Sequence, residues 1–193
     1  HLKTKDNTVH VIGRPIQELA RIIQHLQDSK LPYFDAGNFV EPGRSAQTVQ
    51  GANLRRATLT WLSKTNPIAL GLGINELELG VGKFIRDIKS LDLPYVNSNL
   101  YQGSDTVFNP YKVIRLQTET ESLTVGIFSV LNPNDAQKIL NLEMEGYEIK
   151  DPVESLLVAL EELNSQGIET DLNILLSTSS GDFLKYLRLR APN

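Results

Sequence analysis

Short apolar runs alternate along this chain with stretches whose apolar residues recur every third or fourth position, and that alternation confines it to a layered α/β fold. Thr8–Ile12, Leu31–Phe34, Pro67–Leu72, Leu93–Val96 and Leu172–Leu176 are predicted strands. Between them, Ile16, Leu19, Ile22, Ile23 and Leu26 follow Pro15 at helical spacing. A second helix is expected from about Asn53, with Leu54, Ala57, Trp61 and Leu62 inward, and a third burying Val81, Phe84, Ile85 and Ile88. Asp151-Pro152-Val153-Glu154 is a helix start, with an acceptor at the cap, Pro at the first position and Glu at the third. Its buried stripe is Val153, Leu156, Leu157, Leu160 and Leu163, and Gly167 ends it. Tyr111–Leu116 and Leu123–Val130 flank the turn-like Thr118–Ser122, an antiparallel hairpin that makes the sheet mixed. A loop from Ser177 to Gly181 leads into a last short helix.

At 193 residues, with no linker and no internal repeat, residues 1–193 are expected to form a single domain. The net charge of -4 argues against a nucleic-acid partner, which needs a concentrated basic face. The absence of Cys excludes disulfides, thiolate metal sites and Cys nucleophiles. Apolar runs such as Ile174–Leu176 are far too short to cross a bilayer.

In layered α/β folds, ligands gather at the carboxyl ends of strands. Asp35–Phe39, Gly73–Gly80 and Ser177–Gly181 occupy such ends. On their residues alone they read as ordinary loops, with Gly, Asn and Ser serving turns. Asp35 then hydrogen-bonds its own loop, and Glu76 and Glu78 cap or solvate a helix start. His10 and His25 read as surface or satisfied core histidines, and Arg55-Arg56 as a solvated helix face. Ser177, Ser179 and Ser180 have no base at an identifiable spacing, so none is assigned as a nucleophile.

Taken in order, these segments resemble the calcineurin-like metallophosphoesterases of the 5′-nucleotidase type. Phe34-Asp35-Ala36-Gly37-Asn38-Phe39 is similar to that family's D-A-G-D loop, and Gly73–Gly80 to its G-N-H-E-F-D-x-G loop, with both glycines at the same separation. Leu93–Leu100 resembles its P-x-x-x-A-N-L strand, Val125–Val130 its V-G-I-I-G-V strand, and Leu172–Thr178 its strand ending L-L-S-H after a D-P-V-E helix. The likeness runs from about Pro15 to the C-terminus. It implies a layered fold of mixed β-sheets flanked by helices, incomplete at both ends.

The family hydrolyses phosphoesters with two metal ions that clamp the phosphate and activate a bridging water. Here the residues matching its metal and acid positions are changed. Asn38 stands for the bridging Asp, Ile74 for the ligand Asn, Asn75 for the His that stabilises the leaving group, and Thr178 for the His of L-L-S-H. Glu76 falls on the Glu of the G-N-H-E motif. The D-x-H of the first strand and the late G-H-x-H have no counterpart, since Asp6 and His10 are wrongly spaced and no His follows His25.

The resemblance thus implies a catalytically inactive domain with no catalytic residue, no metal ligand and no cofactor, serving as a scaffold or binding module. A cleft lined by Asn38, Asn75 and Thr178 could hold a small polar ligand or a partner loop. A protein partner or further segment is expected over an exposed sheet edge at Leu172–Leu176. Analogy places the domain outside the cytoplasm. The rival readings are a metal-dependent phosphoester or nucleotide hydrolase whose missing ligands lie outside this chain, and a domain of a larger extracytoplasmic redox assembly.

Overall fold

The computed structural model describes residues 33–39, 48–117 and 121–190, together with 21, 24 and 25. The chain divides into two compact units, His1–Tyr33 and Phe34–Asn193. In the first unit Arg21, Gln24 and His25 are helical and exposed. The expected strand at Thr8–Ile12, the helix start at Pro15, His10, most of Glu41–Gly51 and the turn residues 118–120 lie outside the described residues.

The second unit is built on two sheets packed face to face. In one, β1 (Phe34–Asp35), β2 (Ala69–Gly71) and β3 (Tyr95–Val96) run parallel in that order. In the other, β6 (Tyr111–Gln117) pairs antiparallel with β7 (Ser122–Ser129), and β9 (Leu172–Leu176) lies parallel on the far side of β7. Side chains alternate across a strand, so each contributes to two layers. Ala69 and Val96 meet Val125, Ile127 and Leu176 in the layer between the sheets. Leu70, Leu72 and Tyr95 point the other way, into the largest core cluster. Phe128 packs outward on Ala159 and Leu163, and Val130 on Val153, Phe183 and Leu187. The result is helices, sheet, sheet, helices, the layered mixed-sheet fold expected from the alternation.

The helices form where capping and periodicity place them. Helix α1 (Val49–Lys64) begins where Thr48 Oγ1 accepts the Gly51 N–H at 3.0 Å, ahead of the expected Asn53. Its buried face is Arg55, Leu59 and Leu62, while Ala57, expected inward, is exposed. A short helix α2 (Ile74–Leu77) precedes α3 (Val81–Ile88), which buries Val81 and Phe84 and leaves Ile85 and Ile88 half-buried at the core margin. Helix α4 (Pro152–Ser165) starts as its sequence demands: Asp151 accepts the N–H groups of Val153 and Glu154 at 2.9 and 3.0 Å. Helix α5 (Gly181–Arg190) closes the described chain.

A third sheet goes beyond the elements the sequence predicts. In it β4 (Leu100–Gln102) lies between β5 (Asp105–Thr106) and β8 (Tyr147–Ile149), all antiparallel. Strands this short carry no alternation long enough to read; Asn99 stands beside them, immediately before β4. Its buried side chain donates to the carbonyls of Leu131 and Lys150 at 2.9 and 3.0 Å and accepts the Leu131 N–H at 2.8 Å. One amide thereby fastens the corner after β3 to the end of β7 and the approach to α4, in the segment likened to P-x-x-x-A-N-L.

Candidate functional site

The loops after β1 and β2 close on each other at the carboxyl end of the parallel sheet. The Asn75 N–H donates to Asn38 Oδ1 at 3.1 Å. The Glu76 carboxyl group accepts from three backbone donors: Asn38 and Gly73 N–H on Oε2 at 2.9 and 3.0 Å, and Phe39 N–H on Oε1 at 2.5 Å. Glu76 is fully buried. It caps α2 through Gly73 and splices the first loop to the second, so the expected capping role holds and the solvated alternative does not.

The fit leaves no spare volume. A Cβ on Gly37 would stand 2.5 Å from Gly73 N and 2.8 Å from Gly71 O. Asn38 itself sits in the left-handed region at φ 63, where Asn is among the better tolerated residues. The end of β7 joins the cluster, since the Leu72 N–H donates to Ser129 Oγ at 3.2 Å.

Arg55, expected on a solvated face, is instead a buried support, 2% exposed. Its Nη2 donates to the Glu76 carbonyl at 2.8 Å, and its Nε pairs with Asp87 at 2.9 Å. Arg56, its neighbour, is exposed. A position four residues before Leu59 and seven before Leu62 puts Arg55 on the buried face, which is the signal that could have found it. The Tyr95 hydroxyl lies in the same polar patch. Burial raises its pKa well above the usual value, the negative charge of Glu76 adds to the rise, and Arg55 opposes it.

Asp35, at the end of β1, accepts the Gly37 N–H at 2.8 Å, the local bond expected of it. Burial raises its pKa from 3.8 to about 6, and the Gly37 bond offsets only part of that. The folded state therefore keeps the Asp35 proton where the unfolded chain has released it. Stability from this group is greatest below pH 4, falls as pH rises from about 4 to about 6, and is level above. Asp35→Asn keeps the acceptor and removes the charge. It is expected to stabilise the protein at pH 7 by roughly 1–3 kcal/mol and leave stability at pH 4 nearly unchanged. Melting curves of both proteins across that range would show the gap opening with pH; a constant gap would refute it.

The structure brings Asn38, Asn75 and Glu76 together and separates the other two candidates. Ile74 packs against the main core cluster, half-buried. Thr178 is exposed beyond the end of β9, and among the described residues no hydrogen bond joins it to the others. Leu176 does reach the same end, its Cβ lying 3.0 Å from where a Cβ on Gly71 would stand. These residues do not suit a pair of divalent cations. The Asn38 oxygen is engaged by a backbone N–H, both Glu76 oxygens are taken by the loops, and Ile74 has no donor atom. Among the described residues no group of three or more His, Cys, Asp or Glu could hold a metal ion.

No family profile matches the sequence, and no curated protein matches it. Solved structures do match the fold. The calcineurin-like phosphoesterase YfkN from Bacillus subtilis superposes with a TM-score of 0.63 at 20% identity, over 84% of this chain and 54% of its own. The sulfate thiohydrolase SoxB from Thermus thermophilus gives 0.67 at 14% identity, over 92% of this chain and 35% of its own. A 5′-nucleotidase precursor, also from Thermus thermophilus, gives 0.61 at 21% identity, over 85% and 31%. This chain thus spans about half of the first and a third of the others. The layered sheets and these superpositions show that the chain has the fold of the calcineurin-like phosphoesterases.

Proposed function

We propose that this chain is a metal-free, catalytically inactive domain of phosphoesterase fold that serves as a scaffold or binding module. The observation that carries the reading is the Asn38–Asn75 contact: two neutral residues meet at the positions that the resemblance matches to a bridging carboxylate and an acid. A hydrolytic centre needs anionic ligands to offset the repulsion of two divalent ions, and here the Glu76 carboxylate is spent on backbone donors. The surface around Asn38 and Asn75 offers neutral hydrogen-bonding groups to a small polar ligand or a partner loop. The single-domain reading of residues 1–193 and an extracytoplasmic setting belong to the same proposal. Among the described residues no helix is long and apolar enough to cross a membrane.

The test is direct. A metal that binds only the folded state adds about 2.7 kcal/mol at a hundredfold excess over its dissociation constant. Thermal melts with manganese, zinc or a chelator are therefore expected to overlay, elemental analysis to find no stoichiometric metal, and a screen of phosphodiesters and nucleotides to find no turnover. A melting temperature raised by manganese and lowered by chelator, with phosphodiester hydrolysis, would overturn the proposal in favour of a working hydrolase.

A further inference from the structure

The sheet of β1, β2 and β3 carries the loops of Asn38 and Asn75 at its carboxyl end. Its amino end opens into a polar recess of about 380 Å³. Pro67 and Pro94, each shortly ahead of β2 or β3, stand on the wall of that recess. Proline has no N–H, so the strand approaches present stiff backbone there rather than unpaired donors.

Polar side chains reach the recess from three segments. Asn66 comes from the turn after α1, Asp92 from the turn before β3, and Asn109 and Lys112 from the approach and start of β6. Asn66 and Asp92 hold left-handed backbone, at φ 52 and 47, which Asn and Asp adopt more readily than other side chains. Lys112 shares a face of β6 with Ile114 and Leu116, which pack in the layer between the sheets. It therefore rises from the inner face of the sandwich at its rim and lines the recess half-buried. Asp92 lines the same recess, exposed. Among the described residues these opposite charges form no ion pair with each other or with another group, and the side chains of Asn66 and Asn109 make no hydrogen bond.

We propose that this recess binds a zwitterion of amino-acid to dipeptide size, its carboxylate on Lys112 and its ammonium group on Asp92. A ligand carrying both charges satisfies both side chains at once. A ligand of one charge leaves one of them unmatched and sits in the field of its like. The amides of Asn66 and Asn109 both donate and accept, as a peptide unit between two charges requires. A volume of about 380 Å³ lies at the small end of ligand pockets, in keeping with so small a molecule. The inference does not depend on whether the loops at the other end of the sheet hydrolyse anything.

The test uses the full chain and three probes of nearly one shape. They are glycylglycine, N-acetylglycine, which lacks the ammonium group, and glycine N-methylamide, which lacks the carboxylate. Each is titrated while NMR follows the backbone amides of Asp92, Asn109 and Lys112. Glycylglycine is expected to give saturable shifts there in the millimolar range. Each single-charge probe is expected to bind at least about tenfold more weakly, the scale of one charge-assisted hydrogen bond. Lys112→Gln is expected to bind glycylglycine no better than the parent binds glycine N-methylamide, and Asp92→Asn no better than it binds N-acetylglycine. Asn suits φ 47, and neither side chain has an ion pair to lose, so both variants are expected to keep the parent's amide spectrum away from the recess. Shifts that do not saturate, or a single-charge probe binding as tightly as glycylglycine, would overturn the proposal and leave Lys112 as an inward charge that discourages strand pairing at β6. Glycylglycine binding unchanged in either variant would overturn it equally.

Discussion

Replacing Glu76 with Ala is expected to cost about 4 kcal/mol, a large part of what a domain of this size has in reserve. Three backbone donors, of Gly73, Asn38 and Phe39, lose their acceptor at once, and Glu76 is fully buried, so water does not readily replace it. An unsatisfied buried donor costs about 1–3 kcal/mol. Removing the burial of the carboxyl group itself returns part of the loss, which keeps the total below the simple sum. Glu76→Gln is expected to fall between, because its Nε2 presents a donor where a donor already points. Urea denaturation of the parent and both variants would measure the series. A loss under about 1 kcal/mol for Glu76→Ala would mean that the two loops are held by packing alone.

Gly37→Ala is expected to cost about 2–5 kcal/mol by a separate route, the sum of backbone strain and collision. Gly37 has φ 106, outside what a residue with a Cβ adopts without strain, and such conformations cost on the order of 1–3 kcal/mol. Its Cβ would also meet Gly73 N at 2.5 Å and Gly71 O at 2.8 Å, both backbone atoms of the neighbouring strand and its loop. Neither is the flexible end of a side chain, so relief requires β1 and β2 to part, and overpacking of that kind adds about 1–3 kcal/mol. The loop would open with it, and the amides of Asn75 and Gly73 would exchange faster than in the parent. Gly103→Ala is the matched control. Gly103 also has positive φ, at 65, but a Cβ there meets nothing within 4 Å, so it isolates the conformational part of the loss from the collision. Equal losses at the two glycines would refute the close approach.

The layered α/β class and the hairpin are legible because each rests on a period or a local turn that a few neighbouring residues specify. Leu172–Leu176 is a strand as expected, and Asp151 caps α4, since an apolar run and a cap need no distant partner to be recognised. The likeness to the phosphoesterase loops is legible for the same reason, as order and spacing of short motifs, and the superpositions bear out the fold it implies.

What the periodicity of the chain leaves open depends on contacts between residues far apart in sequence. Arg55 is a surface residue by type and a buried one by position, because its partners are the Glu76 carbonyl and Asp87. The small sheet of β4, β5 and β8 pairs residues up to 49 apart in sequence, beside the corner where Asn99 holds Leu131 and Lys150, a pairing no local pattern encodes. The sequence by itself determined the longer strands and helices, and that Asn38, Ile74, Asn75, Glu76 and Thr178 follow strand ends. Only the tertiary structure decided what those residues do there: Asn38 meets Asn75, Glu76 is consumed by backbone donors, Ile74 turns to the core and Thr178 stays apart. The physical reason is that a hydrogen-bond partner or a buried face is a property of a place in three dimensions, set once strands from distant parts of the chain lie side by side.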